Sequence, residues 1–171
     1  MISLKKAHRA DCNELHGIQA CSFLPLLEKY QDFDTNPAAE TVDCIIQRFE
    51  QSFTDYYLIM DSERAVGMMR VCDFGAICRL SPICILPEHQ GRGYAQQAIL
   101  LAEALYPNAR KWTLDTILQE EKLCHLYEKL GYRRTGNYDK INDVMDLVYY
   151  EKLMLMNAAR KGGVFNILSF R

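Results

Sequence analysis

One stretch constrains this chain more than any other. It is Ile83-Cys84-Ile85-Leu86-Pro87-Glu88-His89-Gln90-Gly91-Arg92-Gly93-Tyr94-Ala95, which continues from Gln96 to Leu105. An apolar strand runs into a short loop with two glycines, and the loop opens directly into an amphipathic helix. Such a loop leaves backbone N–H groups and a helix N-terminus free for an anion, usually a phosphate. Gly91 and Gly93 let the backbone approach a ligand with no Cβ in the way. The N–H groups from Arg92 to Ala95 then point at the anion. The helix dipole adds about 0.3–1 kcal/mol.

The rest of the chain supplies the other layers. Ile2 to Lys6 reads as a strand and Asp11 to Cys21 as a helix, with Leu15, Ile18 and Cys21 on its apolar side and Asp11 as N-cap. Phe23 to Pro37 reads as irregular, and Ala38 to Phe49 as a second helix with Val42, Ile45, Ile46 and Phe49 at helical spacing. Tyr56 to Met60 and Ala65 to Cys72 flank Asp61-Ser62-Glu63-Arg64 as a hairpin, and Ile77 to Leu86 is the next strand. Tyr94 to Leu105 turns Ala95, Ala98, Ile99, Ala102 and Leu105 inward. Trp112 to Leu114 is a short buried strand. Gln119 to Leu130 is a helix with Leu123, Leu126, Tyr127 and Leu130 on one face, ended by Gly131. Tyr132 to Gly136 and Val144 to Leu155 are two last strands. The order βααβββαβαββ implies an α/β (α+β) fold, a central mixed sheet of about seven strands with about four helices over both faces. Residues 1–156 make one domain, and 157–171, with Gly162-Gly163, form a tail of no assigned structure.

Charge and cysteine usage exclude several function classes. A formal net charge of −2 over 171 residues argues against a nucleic-acid partner, which usually needs a basic face. No apolar run approaches the ~20 residues of a membrane span. Met1 to Lys6 lacks the apolar core of a signal peptide, so the expected compartment is the cytoplasm with no membrane partner. The seven cysteines, at 12, 21, 44, 72, 78, 84 and 124, form no Cys-x-x-Cys pair and read as small core hydrophobes. The four histidines add no metal-ligand spacing, so no metal is expected.

The glycine segment resembles the acyl-CoA-binding motif of the GNAT acetyltransferase superfamily, Gln/Arg-x-x-Gly-x-Gly/Ala, through Gln90, Gly93 and Ala95. A dinucleotide-binding Gly-x-Gly-x-x-Gly is the rival, with Asp115 at a tempting distance. Here Gln96 replaces its third glycine, and Pro87 to Gln90 separate strand from glycines. The element order also matches the GNAT fold, over roughly residues 2 to 155. The resemblance implies acetyl-CoA as cosubstrate, its pyrophosphate on Gln90, Gly91, Arg92, Gly93, Tyr94 and Ala95. It also implies that the pantetheine amides pair with Ile83, Cys84 and Ile85 as an added strand.

A second segment, Leu123-Cys124-His125-Leu126-Tyr127-Glu128-Lys129-Leu130-Gly131-Tyr132, is similar to the family's Leu-Tyr-x-x-x-Gly-Phe/Tyr motif. By that resemblance Tyr127 protonates the departing thiolate. The asparagine usual seven residues earlier is Glu120 here. The glutamate that many relatives use as general base corresponds to Arg79, leaving Asp73, Glu88 or a water chain as substitutes. Cys84 reads as a core thiol rather than an acyl carrier.

The loop from Pro25 to Pro37 would shape the acceptor pocket, with Asp32 or Asp34 pairing an ammonium and Tyr30 or Phe33 stacking on it. Arg79 would hold an acceptor carboxylate. The reading is thus direct acetyl transfer to a primary amine of a small or amino-acid-like molecule. A protein N-terminus as acceptor, and a non-catalytic acyl-CoA sensor, are the alternatives. A homodimer is compatible with the sequence.

Overall fold

The computed structural model describes residues 1–155; the tail read at 157–171 lies outside them. Strands are β1 (Ile2–Lys6), β2 (Thr54–Asp61), β3 (Arg64–Asp73), β4 (Ile77–Ile85), β5 (Lys111–Ile117), β6 (Arg133–Asn142) and β7 (Met145–Leu153). Helices are α1 (Cys12–Tyr30), α2 (Val42–Phe49), α3 (Tyr94–Leu105) and α4 (Glu121–Lys129). The sheet order is β1-β2-β3-β4-β5-β7-β6, antiparallel except for β4 beside β5.

Alternation along the strands sorts the core onto two faces. Tyr57 and Ile59 of β2 point to a cluster with Ile99 and Ala102 of α3, Trp112 and Leu114 of β5, and Tyr127 of α4. Their neighbours Tyr56 and Leu58 point the other way, to Leu15 and Ile18 of α1 and Ile45 of α2. Helices therefore cover both faces, as the element order implies. Across the α3 face, the buried Glu103 accepts hydrogen bonds from Tyr132 Oη at 2.9 Å and Lys152 Nζ at 2.6 Å, tying α3 to the end of the sheet.

Several local readings need correction. The helix expected to stop at Cys21 runs through Pro25 to Tyr30, where Gln31 turns left-handed at φ 55°. A helix-interior proline costs about 3 kcal/mol. Burial of Leu27 and Tyr30 offsets that, so packing overrides the local signal. Cys21 and Leu105, expected inward, are exposed. Asp11 precedes α1, but its Oδ2 accepts from His8 N at 2.7 Å instead of capping α1. The second helix begins only at Val42; before it, Pro37–Ala39 form one 3-10 turn capped by Asn36. β6, expected to end at Gly136, runs on to Asn142, and β5 and α4 shift by one to three residues at their ends.

The sheet is not continuous across its parallel pair. β4 and β5 are paired at Ile77–Lys111, Cys78–Trp112 and Arg79–Thr113, and there the ladder stops. β5 goes on pairing with β7 as far as Ile117, while β4 goes on pairing with β3 as far as Ile85. The two strands part, and one edge of β4 from Leu80 onwards is left free. Two local features promote the parting. Arg70 occupies a register shift between Met69 and Val71 of β3, which bends the pair. Pro82 on β4 has no N–H to offer a ladder. The free edge is held from behind by Gly67: an added Cβ there would lie 2.4 Å from the Cys84 carbonyl oxygen, so only glycine lets β3 approach so closely.

Candidate active site

The parting of β4 and β5 separates two cavities that meet inside it. One, of about 630 Å³, lies between the β4–α3 loop, α1 and the start of α4. Of the expected cofactor residues, Ile83, Cys84, Ile85, Gln90, Gly91, Gly93, Tyr94 and Ala95 line it, and Arg92 does not. The loop is built for that position. Gly91 and Gly93 both have φ of 75°, in the left-handed region, and a Cβ on either would meet no atom within 4 Å. Gly93 is the N-cap of α3 and supplies no side-chain cap. The first intrahelical bond runs from Gln97 N to Gly93 O at 3.1 Å, so the preceding N–H groups of the first turn remain free. No acidic residue stands in that turn.

The side chains around the loop are mostly taken up in holding it. Gln90 Nε2 donates to Ile85 O at 2.9 Å and ties the loop to the end of β4. Arg92 donates to Glu88 O at 3.2 Å. Tyr94 Oη donates to Asp61 Oδ2 at 2.6 Å, on the β2–β3 hairpin. His89 was not foreseen: it is buried against this cavity, and neither ring nitrogen has a partner among the described residues. Cys84 also lines it, but burial pushes its thiol up to about 12, which keeps it protonated and unsuited to carry an acyl group.

The second cavity, of about 350 Å³, reaches the parting from the α1–α2 side. Its apolar wall includes Phe23, Leu26, Leu80, Ile117, Met145 and Leu147, and its charged lining is Asp32, Glu40, Asp115, Arg48 and Arg70. Most of these charges already have partners. Arg48 forks onto Glu40 at 2.7 and 2.5 Å. Arg70 donates to Ser81 O at 3.2 Å and Gln51 Oε1 at 3.0 Å. Asp32, buried, accepts from Thr35 N at 3.0 Å and from the Thr35 hydroxyl.

The other two expected acceptor residues lie elsewhere. Tyr30 lines neither cavity; its hydroxyl donates to Glu120 Oε1 at 2.7 Å, beside Lys29 Nζ at 2.6 Å. The glutamate that replaces the family's asparagine therefore joins α1 to α4 at the rim of the larger cavity. Arg79 also lines neither cavity, and its guanidinium is paired with Asp115. It offers no open fork to an acceptor carboxylate. Phe33 is exposed. Glu40, Arg48, Arg70 and Asp115 are the acceptor-side charges that sequence reading did not assign. Asp115 alone had a signal, its place at a strand end.

Both cavities share Phe23, Leu26, Ile83, Leu123 and Tyr127. Tyr127 is buried in the last turn of α4 and lines both cavities. Burial first, and the nearby Asp115 carboxylate second, raise its pKa well above that of a free phenol. It is therefore a proton donor at neutral pH, not a phenolate. Among the described residues, no group of three His, Cys, Asp or Glu side chains is placed to hold a metal ion. Nor is any helix long and apolar enough to cross a membrane.

A sheet opened at one place, with a binding cavity on each side of the opening, is the architecture of a two-substrate group-transfer enzyme. The chain belongs to the acetyltransferase (GNAT) family, whose model matches residues 18–132. It is 23% identical over 145 residues to a spermidine N(1)-acetyltransferase of Vibrio cholerae serotype O1, covering 80% of this chain and 81% of that one. Among solved structures, a Vibrio cholerae spermidine N-acetyltransferase in complex with CoA and spermine aligns with a TM-score of 0.70 at 21% identity, over 89% of this chain and 95% of that one. An acetyltransferase from Thermus thermophilus aligns with a TM-score of 0.69 at 21% identity, over 90% and 97% of the two chains.

Proposed function

We propose that the protein transfers an acetyl group from acetyl-CoA to a primary amine of a small cationic, polyamine-like acceptor, within one ternary complex. The observation that carries this reading is the meeting of the two cavities at Tyr127. Acetyl-CoA lies in the larger cavity, with its pyrophosphate on the glycine loop and its pantetheine arm along the free edge of β4. The thioester then reaches the parting, where the acceptor amine arrives from the smaller cavity. The amine lone pair attacks the carbonyl carbon, the C–S bond breaks, and Tyr127 gives its proton to the departing sulfur. A strand N–H near Cys84 or Ile85 polarises the carbonyl oxygen.

A cavity of about 350 Å³ suits a small molecule better than a folded protein's terminus. Its carboxylates and apolar wall suit an alkyl ammonium chain, as in the substrates that name the Vibrio cholerae relatives. Residues 1–156 act as one domain. Seven free thiols support a cytoplasmic compartment.

The test is an acetyl-transfer screen over polyamines, monoamines, amino acids and short peptides, read as free CoA released. Turnover confined to cationic amines is the expected result. Turnover confined to peptides would move the acceptor to a protein N-terminus. Tight CoA binding with no turnover on any amine would make the protein a sensor.

A further inference from the structure

We infer that Asp115 is the general base of this transfer, taking the proton of the acceptor ammonium where β4 and β5 part. The inference rests on the acetyl-transfer reading above. The geometry selects Asp115 among the carboxylates. The strands separate just after the Arg79–Thr113 pair, and Asp115 is two residues further along β5, on the same face as Thr113. It lines the acceptor cavity, as Tyr127 does from α4. Arg79, the last residue of β4 paired with β5, reaches diagonally to Asp115 Oδ1. Arg79 takes Oδ1, so Oδ2 is the oxygen placed to accept a proton.

The competing carboxylates are occupied or remote. Asp32 accepts from Asp34 N, Thr35 N and the Thr35 hydroxyl. Glu40 accepts a two-pronged Arg48 and Gln19. Asp73 binds Gly75 N at 2.8 Å in the β3–β4 hairpin, and neither Asp73 nor Glu88 lines the acceptor cavity.

The surroundings suit a base. Burial raises the Asp115 pKa above its ordinary 3.8, and the Arg79 cation opposes without cancelling this. Asp139 on β6 raises it further, while the neighbouring Tyr149 on β7 donates its hydroxyl to Asp139. Tyr127 faces it from α4, and Asp32, Glu40, Arg48 and Arg70 share its cavity from the α1–α2 side. A carboxylate raised towards neutrality is a better base than one held low.

The proton balance closes. The acceptor R–NH3⁺ gives one proton to Asp115 and becomes R–NH2. Its lone pair forms the N–C bond, and the C–S electron pair leaves on sulfur. Sulfur takes the Tyr127 proton, and the proton shed by the acylated nitrogen restores Tyr127. Asp115 releases its proton to solvent. The sum is R–NH3⁺ plus acetyl-CoA giving the acetamide, CoA–SH and H⁺.

The test compares wild type, Asp115→Asn and Arg79→Ala with spermidine, or with the amine that wild type acetylates fastest, across pH. Asp115→Asn should bind acetyl-CoA within about twofold of wild type by calorimetry. Its kcat at pH 7 should fall on the order of 10²–10⁴-fold. The deficit should shrink as pH nears the amine's own pKa, about 10 for an alkyl ammonium, because the acceptor then arrives neutral. A purely structural role would leave the deficit equal at every pH. Arg79→Ala removes the cation that holds Asp115 down, so the acid limb of kcat should move to higher pH. A folded Asp115→Asn with kcat within about threefold of wild type, or with a pH-independent deficit, overturns the inference. If Asp115→Asn does not fold, an acid limb unmoved in Arg79→Ala overturns it. Absence of wild-type turnover on every amine defeats the acetyl-transfer reading itself, and that outcome is seen before any variant is made.

Discussion

The left-handed glycine at the head of α3 yields a prediction in which stability and binding separate. Gly93 has φ 75° and ψ 13°, and a built Cβ meets no protein atom within 4 Å. Alanine there suffers no clash, only the backbone cost of a left-handed L-residue, about 1–2 kcal/mol. For a domain of this size that is a fall in Tm of roughly 2–8 °C. The strain is the same with and without ligand, so it cancels in Kd. Any loss of acetyl-CoA affinity in Gly93→Ala then comes from the Cβ standing in the anion's seat. Gly93→Glu adds a longer side chain and a like charge. At 4 Å a charge pair is worth about 1–4 kcal/mol between solvent and surface dielectrics, so Kd should rise on the order of 10–10³-fold. Calorimetry with acetyl-CoA and thermal unfolding by circular dichroism measure both quantities. A folded Gly93→Glu with wild-type affinity would refute the placement of the pyrophosphate. An unchanged Tm in Gly93→Ala would refute the backbone argument separately.

Two further expectations concern the site and its flank. Tyr127→Phe should lower kcat on the order of 10²-fold and leave acetyl-CoA affinity intact, because its proton is needed only as charge develops on sulfur; unchanged single-turnover rates would make Tyr127 a core aromatic alone. Glu40 lies below its ordinary 4.5: burial pushes its pKa up, but the hydrogen bonds and charge of Arg48 and the bond from Gln19 outweigh that. A depressed carboxylate stabilises the fold above its unfolded pKa and loses that contribution as pH falls through the folded one. Glu40→Gln should therefore cost about 1.5–3 kcal/mol near neutrality and flatten the fall of Tm between about pH 5 and pH 3; parallel Tm profiles for the two proteins would contradict the pairing.

The parts legible from the sequence are those decided within a few residues. The strand, the two glycines and the helix from Tyr94 onwards form one local device, and their backbone angles follow from residue type and neighbours. The inward faces of α2, α3 and α4 follow from helical spacing, apart from Leu105, whose side of the last turn finds nothing to pack on. The run through Pro25 was not legible, because the proline signal is local whereas the burial of Leu27 and Tyr30 is not.

The acceptor side depends on contacts between residues remote in sequence. Tyr30 reads as a pocket aromatic until Glu120, ninety residues on, takes its hydroxyl. Arg79 reads as a carboxylate clamp until the parallel register of β4 and β5 sets it beside Asp115, thirty-six residues away. Spacing along a chain carries periodicity and turn chemistry, and these shape single elements. Which charge meets which depends on strand register and on where the ladder breaks, and both are set by how the whole sheet closes. Local motif and resemblance therefore bring the glycine loop and Tyr127 into view, while the pairing with Asp115 that removes Arg79 from the pocket exists only once β4 and β5 lie side by side.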